Sequence, residues 1–264
     1  MRNLKETHIV VVTNNKGGVG KTTITYGLAQ ALSKRNKKIL LIDSDPQGSL
    51  SRRCGYEPKE YTDKSLYDCL ENILRKKNKL ISDYIQPTDN AYVDILTGDT
   101  RLNINRNEVA MVFMRANFVY KSILNSARQL NKYDFILIDT SPSVGAEYTQ
   151  ILVGSDYVLI PITTSRDSIE GIDSVVSSYN DCQAFNPGLK LLGIIFNDVS
   201  LRGAIAKDII PEIKETYKEY VFNTVIERSV IVEKFEWNNS LGSEANKINA
   251  AFHSLAKEVL KRIG

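Results

Sequence analysis

The chain has 264 residues, 42% of them hydrophobic and 25% charged, the balance of a globular protein long enough to bury one substantial core. No apolar run approaches the ~20 residues that cross a bilayer, and a strand candidate follows Met1–Glu6 directly, leaving no room for a leader peptide; a cytoplasmic protein is expected. A formal charge of +3 is too small to argue for nucleic acid by itself, and Cys54, Cys69 and Cys182 lack the C-x-x-C spacing of a zinc site, so reduced, structural thiols are expected.

Short β-branched runs alternate with helical patterns. In chain order the periodicity predicts strand Ile9–Val12, helix Ile24–Arg35, strand Ile39–Ile42, helix Ser65–Lys76, strand Val93–Leu96 and helix Val109–Leu130. Strands Phe135–Ile138 and Tyr157–Ile160 follow, then helix Ile169–Phe185, strand Leu191–Phe196 and helices Ala204–Tyr217 and Lys247–Arg262. Near-continuous apolar strands separated by helices imply an α/β class: a doubly wound, mostly parallel sheet with helices on both faces, expected as one domain over 1–264. The basic run Arg75-Lys76-Lys77-Asn78-Lys79 reads as a solvated helix end whose cations favour the carboxyl end of the helix dipole.

The segment Asn15-Lys16-Gly17-Gly18-Val19-Gly20-Lys21-Thr22-Thr23 follows the first strand and opens the first helix, the context of a phosphate-binding loop. Glycines let successive N–H groups curl around one anion, and the helix N-terminus adds a favourable dipole. Lys21 is expected on the β- and γ-phosphates, the Thr22 hydroxyl on Mg²⁺ and Thr23 on the α-phosphate. The loop is a variant: Asn15 stands where the first glycine belongs, and Lys16 adds a second cation. Strand two ends in Asp43-Ser44-Asp45-Pro46, where Asp45 would orient or deprotonate a water and Asp43 would tether the loop or help hold the metal shell. The Phe135–Asp139 strand has the apolar-run-plus-Asp form whose acid, Asp139, holds Mg²⁺, and it runs into a switch candidate, Thr140–Gly145.

Those residues resemble the ParA family of deviant-Walker A partition ATPases over nearly the whole chain. K-G-G-V-G-K-T-T, D-S-D-P-Q-G-S, D-F-I-L-I-D-T-S-P-S-V-G, V-L-I-P-I-T-T-S and F-N-P-G-L-K-L-L-G-I-I-F-N-D occur in family order. The resemblance implies slow, Mg²⁺-dependent ATP hydrolysis by a P-loop fold. It implies an ATP-sandwich homodimer in which Lys16 reaches the phosphates of the other subunit, and an adenine contact from Asn197. The absence of N-K-x-D around Asn197 favours ATP over GTP.

The resemblance further implies non-specific DNA binding by the ATP dimer, release by a ParB-like centromere-binding partner and nucleoid association. Arg202 and Arg228 fall near family DNA positions, with Lys207 and Lys234 as further candidates. Glu227 and Ile231 replace a proline and an arginine common in the family, and Ser200–Gly264 carries a net charge of only +1, so a DNA surface has to be assembled locally. No helix-turn-helix extension precedes the first strand, which argues against operator binding. Alternatives are a MinD-like positioning ATPase, whose membrane helix would be the stripe Phe252, Leu255, Ala256, Val259, Leu260, Ile263, and a ParA-like ATPase that positions protein cargo. Helix-on-sheet packing is the reading favoured for that stripe.

Overall fold

The computed structural model describes residues 6–57, 63–104, 119–142, 145–200, 204–234 and 243–264. The strands are β1 (His8–Val12), β2 (Ile39–Asp43), β3 (Gln86–Pro87), β4 (Val93–Leu96), β5 (Phe135–Asp139), β6 (Tyr157–Ile162), β7 (Lys190–Val199) and β8 (Val221–Glu227). They form one sheet in the order β3-β4-β2-β5-β1-β6-β7-β8. Only the two-residue β3 pairs antiparallel; the other pairs among the described residues are parallel.

The helices are α1 (Lys21–Ser33), α2 (Ser49–Arg53), α3 (Leu66–Leu74), α4 (Arg101–Ile104), α5 (Val119–Gln129), α6 (Ala146–Gly154), α7 (Arg166–Gln183), α8 (Ala204–Tyr217), α9 (Val230–Lys234) and α10 (Ser243–Ile263). They bury both sheet faces, as parallel strands require. Successive β1 residues alternate between two apolar layers: Ile9 and Val11 join Tyr120, Ile123, Ile151 and Ile172, whereas Val10 and Val12 join Ile24, Leu28, Phe252 and Leu255. The chain leaves β1 towards β2 on one side and returns to β6 on the other. β1 is therefore the switch point, and the crevice beyond its carboxyl end is where such sheets bind ligands. Register sets Val12, Asp43 and Asp139 side by side at that edge.

Every predicted strand is present, and the predicted helices agree within a few residues; positions 109–118 of the helix expected over Val109–Leu130 lie outside the described residues. Strand β8 and helix α6 were not legible. β8 is an edge strand interrupted by Asn223 and Thr224, and its exposed edge is covered by Glu258 of α10, which accepts from the N–H groups of Asn223 (2.9 Å) and Thr224 (2.8 Å). Arg75 and Lys77 both pair with Glu71 at the end of α3, as a solvated helix terminus should.

The α10 stripe belongs to the core. Phe252, Leu255, Ala256 and Val259 are buried, Leu260 and Ile263 pack against the same layer, and Gly27 of α1 leaves room for the Phe252 ring. A Cβ at Gly27 would come within 2.2 Å of that ring. Among the described residues no helix is long and apolar enough to cross a membrane. Phe252→Ala is expected to destabilise the fold by about 3–5 kcal/mol, through lost burial and the cavity left behind. Urea unfolding measures this, and a midpoint equal to wild type would place the ring outside the core.

Candidate nucleotide site

The loop between β1 and α1 wraps around its own lysine. Lys21 is buried, and its Nζ donates to the carbonyls of Asn14 and Lys16, both at 3.1 Å. Burial pushes the Lys21 ammonium below its ordinary range, opposed by the charges of Asp139 and Asp45. Gly18 (φ 76°) and Gly20 (φ 92°) hold left-handed conformations that a side chain would strain. A Cβ at Gly20 would also lie 2.0 Å from Asn197 Nδ2. Thr23 is half-buried in the first turn of α1.

Thr22 Oγ1 donates to Asp139 Oδ2 at 2.6 Å, so the hydroxyl keeps lone pairs for a cation. Asp139 Oδ1 is buried and has no protein partner. Burial, and next the neighbouring charge of Asp43, push the Asp139 carboxyl well above its usual range. A buried carboxylate with a free oxygen beside an available hydroxyl fits a divalent cation that keeps its waters and takes few protein ligands, the habit of Mg²⁺. No cluster of three or more His, Cys, Asp or Glu ligands occurs among the described residues.

Of the two roles expected for Asp43, its hydrogen bonds match the tether. Oδ2 accepts from the N–H (2.8 Å) and hydroxyl (2.7 Å) of Ser51, and Oδ1 accepts from the N–H of Asp45 at 3.2 Å. Oδ1 accepts one of these bonds and keeps a lone pair. Burial pushes this carboxyl up to about 6, against the Ser51 bonds. Asp45 is half-buried and accepts from the N–H of Gln47 at 2.9 Å.

Asn197, at the end of β7, donates from Nδ2 to the Val19 carbonyl at 3.1 Å, bracing the loop from behind. Its Oδ1 is buried without a protein partner, a free acceptor suited to an exocyclic amine such as that of adenine.

Three residues that the sequence reading did not select complete the site. Asn14 is buried, donates to the Pro161 carbonyl (2.9 Å) and accepts from the Lys16 N–H (2.9 Å); it is the asparagine just ahead of the variant loop. Ser174 of α7 accepts from the Asn15 amide. Asp167, in the first turn of α7, holds Lys16 Nζ at 2.6 Å, and both side chains are largely open to solvent. No motif announces either α7 residue, because their role depends on how α7 lies against the loop.

Beyond the same carboxyl ends of β7 and β8 lie the expected DNA residues. Arg228 is exposed and bidentate to Asp198 at 2.9 and 3.0 Å, and Lys207 is exposed on α8. Arg202 and the side chain of Lys234 lie outside the described residues. Glu227 pairs with Lys247 at 2.8 Å, and Ile231 packs against the core, so both departures from the family pattern are used by the fold.

A family model described as an AAA domain matches residues 7–191. The chromosome partitioning protein ParA of Myxococcus xanthus is 30% identical over 224 residues, which span 84% of this chain and 76% of that protein. The chain belongs to the ParA family of deviant-Walker A ATPases. A plasmid partition protein from Borrelia burgdorferi superposes with a TM-score of 0.73 at 26% identity, covering 97% of this chain and 99% of that one. Cobyrinic acid a,c-diamide synthase from Mycobacterium smegmatis, solved with an ATP analogue and magnesium, superposes with a TM-score of 0.79 at 26% identity, covering 97% and 95%. The ParA-family chain thus shares its fold with a protein solved with an ATP analogue and magnesium.

The raised Asp139 carboxyl has a consequence for stability. A carboxyl that holds its proton more tightly in the folded state stabilises the fold below the ordinary carboxylate range, and that contribution is lost as pH rises. Asp139 should therefore contribute a loss of thermal stability from about pH 4 upward in the ligand-free protein, and Asp139→Asn, which cannot ionise, should remove that part of the slope. Equal slopes for the variant and wild type would show that Asp139 is not the buried charge responsible.

Proposed function

We propose that this chain is a slow, Mg²⁺-dependent ATPase that works as a positional switch. It is monomeric or loosely associated without ATP, dimeric with it, and as a dimer holds DNA without sequence preference. The observation that carries the reading is the contrast between two lysines of one loop. Lys21 is turned inward and buried, whereas Lys16 stands at the surface with a solvent-exposed partner. An exposed ion pair is worth little, so Lys16 is free to leave Asp167 for a stronger anion.

Lys21 and the loop N–H groups bind the phosphates, and Thr22 with Asp139 holds the cation, Asp43 fixing the turn that carries Asp45. Bound Mg²⁺ would neutralise charge developing on the phosphates. Asp45 positions the attacking water, and Asn197 Oδ1 accepts from the base. Lys16, supplied in trans, favours the dimer only when a triphosphate is present. A ParB-like partner bound at a centromere-like site then stimulates hydrolysis and releases the dimer, which places the protein on the nucleoid. The membrane reading is the less favoured, because Phe252, Leu255, Ala256 and Val259 of the α10 stripe are buried in the core.

Co-sedimentation with an arbitrary DNA duplex tests this reading. Wild type should be retained with ATP and Mg²⁺ but not with ADP, Lys16→Ala should lose ATP-dependent retention, and Asp45→Ala should stay bound. Rapid, ATP-independent release of Asp45→Ala, or retention of Lys16→Ala equal to wild type, would contradict the cycle.

A further inference from the structure

The residues from Gln30 to Lys38 include Lys34, Arg35, Lys37 and Lys38 and no acid. Cations at a helix end ordinarily serve that helix's own carbonyls. Here two of them lean away from α1 and across to α10: Lys34 Nζ donates to the Asn249 amide oxygen and Arg35 Nη2 to the His253 carbonyl, both at 3.4 Å. Both partners are neutral, so neither charge is cancelled. Lys34 and Arg35 are exposed, and no ion pair among the described residues involves them or Lys37.

The charge is felt locally. Burial, and behind it the positive charges of Lys34 and Arg35, hold the His253 imidazole below its usual range. One turn further along α10, Lys257 is exposed. Its neighbour Glu258 is turned to the β8 edge and engaged there. On the other flank Lys38 donates to the Ala91 carbonyl at 2.7 Å and lies 4.5 Å from the centre of the half-exposed Tyr92 ring. By contrast, Arg228 and Lys247 are already matched with carboxylates.

We infer that the face formed by the end of α1 and the adjoining side of α10, with Lys34, Arg35, Lys37 and Lys257, is the chain's principal contact with the phosphodiester backbone of duplex DNA. The inference deepens the DNA reading above and rests on it. Closely spaced cations with neutral partners are suited to a regular array of anions, and they read no sequence. A peripheral membrane face adds apolar side chains to its cations; Phe252, Leu255, Ala256 and Val259 of the α10 stripe are buried, and the exposed aromatic beside this face is Tyr92. Each monomer offers only a few phosphate contacts, which bind weakly alone. A dimer carries two such faces, and where both meet DNA the second contact is intramolecular, which strengthens binding without remodelling the face.

The test is binding of the full chain, with ATP and Mg²⁺, to a fluorescent duplex of arbitrary sequence over a salt series. Lys34→Gln/Arg35→Gln/Lys37→Gln is expected to lower affinity at least about tenfold at low salt and to reduce the slope of log K against log salt by about two to three. Lys34→Gln/Lys37→Gln, which keeps the Arg35 contact to α10, should show roughly two-thirds of that slope change, and Lys34→Arg/Lys37→Arg should bind like wild type. Arg228→Gln should change affinity less than about threefold, because Asp198 already matches its charge. Glutamine variants that melt and dimerise like wild type yet bind DNA with unchanged affinity and slope would overturn the inference while leaving the DNA reading standing. So would variants that lose only binding to phosphatidylglycerol vesicles. Wild type that binds no duplex in any nucleotide state would overturn the DNA reading itself, and the inference with it.

Discussion

A buried ammonium whose hydrogen bonds, among the described residues, go to main-chain carbonyls is the constraint on which this structure depends. Lys21 Nζ is drawn back by the loop to Asn14 and Lys16, and burial already depresses its affinity for a proton. Such a group is stable while the loop stays wrapped around it, and it becomes favourable when an anion enters. The surroundings are arranged to the same end. Gly18 and Gly20 supply the curvature, Asn14 and Asn197 brace the loop from two strands, and α1 presents its N-terminus.

The carboxylates beside it divide the labour. Asp43 holds the turn that carries Asp45, accepting from Ser51 and from the Asp45 N–H. Asp139 retains a buried oxygen without a protein partner, an arrangement that costs stability unless a ligand completes it. Asn197 repeats the pattern with its own unpartnered oxygen. Buried polar atoms without partners are rare in a packed interior, and these two stand at the carboxyl ends of β5 and β7.

Much of this was legible in the sequence because local rules sufficed. Apolar runs of near-continuous Val, Ile and Leu marked the parallel strands, and the glycine spacing ahead of Lys21 marked the loop. What stayed hidden depends on contacts distant in sequence. Strand β8 contains polar residues whose backbone donors are met by Glu258, and α7 supplies Ser174 and Asp167 to a loop some 150 residues earlier. The tether role of Asp43 was read as one of two, and only the position of Ser51 favours it. The run from Lys34 to Lys38 looks like an ordinary helix end until its side chains are seen leaning onto α10.

The most direct measurement is the solution mass of the wild-type protein by multi-angle light scattering with Mg²⁺ and either ATP or ADP. The account predicts a dimer with ATP and a monomer with ADP, with nucleotide state converted into quaternary state through Lys16. The same mass with both nucleotides would contradict it.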